Sequence, residues 1–145
     1  MGRSTLHLGH VHLRVRDVER AVAFYTDVFE LDVNDRHGPF AFLTFGDHHH
    51  DIALQEVDSD AAGPRSGVGL YHAAFEVEDR DALGRIYETL DEHGVRVDPI
   101  DHGISEALYF DDPAGNGIEA YRDTRAENDR TEWQGTNEPL DPTSL

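Results

Sequence analysis

The strongest constraint on the fold is that the chain repeats itself. Set "HVHLRVRDVERAVAFY" from His10 above "HAAFEVEDRDALGRIY" from His72, an offset of 62, and His10 falls on His72, Val15 on Val77, Asp17 on Asp79 and Tyr25 on Tyr87. Self-similarity at a fixed period means that one supersecondary unit has been built twice. The ends of the two copies match at a shifted offset of 66, where "DIALQ" from Asp51 lies over "GIEAY" from Gly117.

Each copy opens on an alternating segment that suits a half-buried strand. His10, His12 and Arg14 share one side and Val11, Leu13 and Val15 the other. Asp17 and Asp79 then read as helix N-caps. Val18, Ala21, Val22, Tyr25 and Val28 form an apolar stripe at helical spacing, as do Leu83, Ile86, Tyr87 and Leu90, and Gly94 stops the second helix. Three more strands are expected after each helix, at about 32–37, 40–46 and 51–57, then 95–101, 105–111 and 117–122. The unit is βαβββ, and the fold class is α+β. The small, polar stretch Asp58 to Gly67 reads as a linker between modules at about 6–57 and 68–123. Residues 124–145 read as an acidic surface tail pinned by Trp133, its bulky apolar residues being Trp133, Leu140 and the terminal Leu145.

With 145 residues the chain has the size of one domain. It contains no cysteine, so a metal would be held by His, Asp or Glu. Thirty acidic against 12 basic residues give a net charge of −18, which repels nucleic acid and anionic membranes. No apolar run reaches the roughly 20 residues of a membrane span, and "MGRSTLHLGH" lacks the apolar core of a signal peptide. A cytoplasmic location is the expectation. All the basic residues are Arg and none is Lys. A surface so rich in carboxylates suits high salt, where mutual repulsion is screened within about 3 Å, and a halophilic source is expected.

A histidine on a strand is commonly a hydrogen-bonded surface or core residue, but the repeat register lifts His10 and His72, because a pseudo-two-fold axis would bring such a pair to a common centre. His12 lies on the same face, aligns with Ala74 and has no such partner. Glu119 is a carboxylate between apolar neighbours in the last strand. Its counterpart in the first copy is Ala53, so one corner of the symmetric arrangement is empty. Two His and one carboxylate with open positions form the ligand set of non-haem Fe(II) oxygenases. Glu56 falls on the wrong alternate for the empty corner. "DPAGNG", Asp112 to Gly117, reads as turn chemistry that supplies positive φ and aims Glu119.

The paired modules, with "GHVHLRVRDVERAVAFY", "YHAAFEV" and "DPAGNGIEAY", resemble the vicinal oxygen chelate superfamily over about residues 6–123, and within it the extradiol dioxygenases of the catechol 2,3-dioxygenase type. The resemblance implies modules forming an open barrel and Fe(II), or alternatively Mn(II), on His10, His72 and Glu119. It implies that His50, in "HHHDIAL", is the acid–base residue, with His48 and His49 an exposed turn. His102, in "HGIS", and Tyr109, ten residues before Glu119, are then the groups that hydrogen-bond the substrate. Taken alone, His102 is a loop histidine and Tyr109 a half-buried strand aromatic.

The implied partners are a catecholic substrate and O2, in a homodimer. Larger relatives carry a further N-terminal pair of modules. The superfamily also includes lyases and isomerases of glyoxalase type, which use Ni or Zn and usually a fourth protein ligand, here replaced by Ala53. It includes metal-free drug- or metabolite-binding resistance proteins as well, which need no ligands. The composition yields its own prediction: circular dichroism will show the chain losing structure in low salt and recovering it in molar KCl, and full folding at low salt would refute salt adaptation.

Overall fold

The alternation around His12 produces the strand it implies. In a computed structural model, which describes residues 4–64 and 66–145, β1 (Val11–Val15) buries Leu13 and Val15 and exposes His12 and Arg14. His10 and His72 each stand one residue ahead of a strand rather than within it, His72 preceding β5 (Ala73–Glu76). The chain divides into two compact units between Ala62 and Gly63, inside the expected linker, of which Arg65 lies outside the described residues.

The first unit continues with α1 (Val18–Phe29), β2 (Asp32–His37), β3 (Phe40–Thr44) and β4 (Ile52–Glu56). Its sheet order is β1-β4-β3-β2, with β1 parallel to β4 and the other pairs antiparallel. The second contains α2 (Arg80–Glu92), β6 (Asp98–Asp101), β7 (Ser105–Asp111) and β8 (Gly117–Asp123), in the order β5-β8-β7-β6. Here β5 is parallel to β8. Val11 sits beside Ile52 in one unit and Ala73 beside Ile118 in the other, the same pairing carried across by the two offsets. Both sheets are open, and the α+β, twice-βαβββ reading holds.

Both helices start on the expected caps: the Asp17 carboxylate accepts from the Arg20 amide and the Asp79 carboxylate from the Ala82 amide. Glu56 also has a structural task, because its Oε1 accepts from the amide of Val18, 3.1 Å away, at the positive end of α1. The second helix ends in a Schellman motif. Gly94, at φ +69°, donates to the carbonyl of Asp91, and Val95 donates to that of Leu90. That bond keeps Val95 out of β6, which begins at Asp98 and not at 95; likewise β3 ends at Thr44 and not at 46. No glycine ends α1, where Glu30 takes the left-handed conformation at φ 57°.

The buried stripe of α1 is Val18, Ala21, Phe24, Tyr25, Val28 and Phe29, so it includes two phenylalanines beyond the expected positions, while Val22 is half-buried. Leu83, Ile86 and Leu90 are the buried face of α2, with Tyr87 half-buried. They belong to a core that includes Leu108, Ile118 and Ala120, where each large side chain contributes about 1.5–3 kcal/mol on burial. Beneath that core-facing side, buried Glu106 is neutralised by Arg122, with Arg80 at 3.5 Å.

The tail is not merely a surface tail. Its residues Glu138–Pro139 form β9, antiparallel to β6 with Pro139 beside Ile100 and Glu138 beside Asp101, making a fifth strand. Leu140 donates to the carbonyl of Pro99. Trp133 is 54% exposed and its indole donates to the nearby Thr136 carbonyl, so backbone pairing, and not a buried Trp133, holds the segment. Among the described residues no helix is long and apolar enough to cross a membrane.

The two helix ends make an opposed pair of predictions. Gly94→Ala forces a Cβ into the left-handed region and will cost about 1 kcal/mol, whereas Glu30→Gly relieves the same strain and will add about 1 kcal/mol. Urea unfolding midpoints read both, and equal signs would refute the assignment.

Candidate functional site

In the second unit the parallel pairing of β5 with β8 sets Ala74 beside Glu119, and the antiparallel pairing of β8 with β7 sets Tyr109 beside Glu119. Side chains two apart share a face. His72, Glu119 and Tyr109 therefore converge on the side of the sheet away from the buried Ala73, Phe75 and Ile118. His72 Nε2 lies 2.9 Å from Glu119 Oε1, with the carboxylate 11% exposed and the imidazole 28%. The rings of His72 and Tyr109 are 5.6 Å apart. Tyr109 in turn meets His102, whose Nε2 is 2.7 Å from the hydroxyl. Four residues singled out in the sequence thus form one connected group.

Two details of the chain hold this group. Asp112, buried, accepts from the amides of Ala114 and Asn116 and from the Asn116 side chain, closing the loop before β8. Gly115, at φ +89°, supplies the expected positive φ, but Gly117 does not. A Cβ at Gly117 would collide with the carbonyl oxygen of Tyr71, so Gly117 is needed for close approach of the backbone that carries His72. A cleft of about 520 Å³ reaches His72 and Tyr109 and extends to Val95, Arg96, Asp98 and Asp111, a volume suited to a small molecule.

Burial, then the charge of Glu119 and hydrogen bonding to it, pushes the Tyr109 phenol up to about 12. Tyr109 is accordingly a hydrogen-bonding hydroxyl and not a phenolate near neutral pH.

In the first unit His10 and His50 are brought together, with ring centroids 4.3 Å apart. Asp51 organises the place: its carbonyl accepts from the amide of Val11, its own amide donates to Leu43, and its carboxylate accepts from Phe45. Burial, followed by the neighbouring imidazoles of His10 and His49, holds His50 below the ordinary histidine pKa, with Asp51 opposing. His50 is therefore biased toward the neutral form, with a lone pair to accept a proton. His48 and His49 are exposed as expected, although His49 approaches Asp35 at 3.3 Å. His12 is exposed and bonds Gln55 at 3.1 Å. Ala53, 1% exposed, puts a methyl where the second unit has Glu119.

The donors of the second unit fit a divalent cation. The other ring nitrogen, His72 Nδ1, is buried and, among the described residues, has no hydrogen-bond partner, and a cation held between Nε2 and the carboxylate would leave it so. His72 Nε2 and Glu119 Oε1, 2.9 Å apart, present one nitrogen and one oxygen donor side by side. The nitrogen and oxygen donors suit Fe, Mn, Ni or Zn. Within either unit, among the described residues, no three His, Asp or Glu form a metal-holding group.

Sequence reasoning missed Asn137, whose Oδ1 lies 2.6 Å from His102 Nδ1, and also the anchoring role of Asp51. "HHHDIAL" contained a signal for Asp51; nothing local marked Asn137.

Residues 7–120 match the Glyoxalase/Bleomycin resistance protein/Dioxygenase superfamily. The chain belongs to that superfamily. Among curated relatives, the catechol-2,3-dioxygenase of Bacillus subtilis (strain 168) is 39% identical over 91% of this chain and 45% of its own length. Biphenyl-2,3-diol 1,2-dioxygenase 2 of Rhodococcus globerulus is 32% identical over 80% of this chain and 62% of its own. The chain thus spans about half the length of the curated relatives it matches. Among solved structures, a glyoxylase/bleomycin resistance protein/dioxygenase domain from Frankia sp. EAN1pec superposes with a TM-score of 0.70 at 26% identity, over 83% of this chain and 99% of that one.

Within this superfamily fold, the close approach at Gly117 yields a prediction. Gly117→Ala will displace the Tyr71–His72 backbone and lower stability by about 1–3 kcal/mol, read by thermal unfolding. An unchanged melting temperature would show that the backbones do not need this approach.

Proposed function

We propose that the protein is an extradiol ring-cleaving dioxygenase that adds both atoms of O2 across a ring carbon–carbon bond of a catechol, next to the diol. The observation that carries this reading is the connected group His72–Glu119–Tyr109–His102, in which an imidazole–carboxylate pair of the kind that can ligate a metal directly adjoins two hydrogen-bonding groups. Support also comes from relatives whose names describe diol dioxygenases.

His10, His72 and Glu119 would hold Fe(II), with Mn(II) the alternative. When bound, such an ion supplies Lewis acidity toward the diol oxygens and a redox partner for O2. The chain's own residues do the rest. His50, adjacent to His10 and biased toward neutrality, accepts a phenolic proton from the substrate and returns it as the ring opens. Tyr109 remains protonated and offers its oxygen to a substrate hydroxyl, while His102 holds the Tyr109 hydroxyl in place, and the contact fixes the ring's orientation. Glu119 Oε1 is positioned by its partner His72, whose Nε2 lies 2.9 Å away, so the oxygen and the imidazole nitrogen converge on one point. The methyl of Ala53, where a fourth ligand would stand in a glyoxalase-type site, favours open positions over a saturated ion.

The protein, purified without oxygen and reconstituted with Fe(II), will turn catechol or simple substituted catechols into a yellow ring-opened product with O2 uptake. His72→Ala and Glu119→Ala will abolish both signals, and His50→Gln will lower kcat by roughly 10²–10⁴-fold. A tightly bound metal with no product from any diol would instead favour a lyase or isomerase, and absence of metal binding would favour a sequestering protein.

A further inference from the structure

We propose that Asn137, on the C-terminal segment, is a positioning residue that fixes the tautomer of His102 and thereby the direction of the Tyr109 hydroxyl proton. A neutral imidazole carries one ring N–H. The side-chain carbonyl Oδ1 of Asn137 lies 2.6 Å from His102 Nδ1, so that nitrogen is the donor. His102 Nε2 is then an acceptor, and the atom 2.7 Å away is the Tyr109 hydroxyl, which must donate to it.

Tyr109 has only one proton. Directed to His102, it leaves the Tyr109 oxygen free to accept from a diol hydroxyl. It also draws that proton away from Glu119, beside Tyr109 across the β7–β8 pair, which otherwise accepts a hydrogen bond from the phenol, and leaves the carboxylate available to a cation. In the opposite tautomer His102 would donate to Tyr109, whose proton would then point elsewhere, Glu119 being the nearest anion. One amide thus decides whether the phenol competes for the carboxylate.

Both partners are held firmly enough for this. The His102 turn is closed by its own amide to the Ser105 carbonyl and by the Gly103 amide to the Asp101 carboxylate. The C-terminal segment clamps the same turn, through the Thr124 amide on the Ile104 carbonyl and the Asn128 side chain on that of Gly103. Asn137 immediately precedes β9, whose pairing with β6 sets it beside the turn.

The tautomer itself is independent of the ring-cleaving reading; its consequence for turnover rests on that reading. Long-range ¹H–¹⁵N NMR of the metal-free protein at pH 8.5, where an ordinary imidazole is neutral, distinguishes Nδ1–H from Nε2–H. The wild type will show His102 as Nδ1–H, Asn137→Ala will lose that preference, and Asn137→Asp, which keeps an acceptor, will retain it. Should diol cleavage be present, Asn137→Ala will slow it roughly tenfold or more, with recovery in Asn137→Asp. An Nε2–H wild type, or an Asn137→Ala protein still wholly Nδ1–H, overturns the proposal whether or not any diol is cleaved. A tautomer that switches in a protein that opens no diol supports the positioning role and counts against the dioxygenase alone.

Discussion

The parallel pairing of the first and fourth strands within each unit is the constraint on which everything else depends. A parallel neighbour cannot be reached by a hairpin, so the chain must make a long crossover, here a helix and two further strands. The reward is that both strands of the pair begin at the same end of the sheet. His72, one residue ahead of β5, and Glu119, the third residue of β8, are 47 positions apart in sequence and 2.9 Å apart in space for that reason. Gly117 follows from the same pairing, because the backbone before β5 passes where its side chain would be.

Features that act over a few residues were legible in the sequence. Asp17 and Asp79 cap the helices they precede, and the alternation of Val11, Leu13 and Val15 against His12 and Arg14 survives in the folded strand. The repeat added long-range information that a single copy would not hold, since its two offsets already encode the parallel register. What escaped depends on partners distant in sequence. Glu138 and Pro139 have no strand character of their own and pair only because β6 offers an edge. Asn137 meets His102 across 35 residues with no periodicity to announce it. Glu56 was visible as a carboxylate near the site, but its bond to the head of α1 arises from the fold and not from local pattern.

Burial acts in the same sense on two very different groups. It lowers the imidazole of His50 and raises the phenol of Tyr109, moving each away from its charged form. Both groups therefore exchange hydrogen bonds without adding charge to their surroundings. The chain as a whole is otherwise rich in charge, with 30 acidic against 12 basic residues.

The outermost strands β2 and β9 carry features that discourage pairing at their edges. The edge strand β2 is exposed along its whole length, carries Asp32, Asp35 and Arg36, and is irregular between Val33 and Asp35. At the far side of the other sheet, β9 is only two residues long and one of them is a proline, which has no amide hydrogen to offer a newcomer. Bulges, charge, brevity and proline all discourage the addition of a foreign strand. The segment that steadies His102 therefore also terminates its sheet, so truncating it would expose the edge of β6 to aggregation.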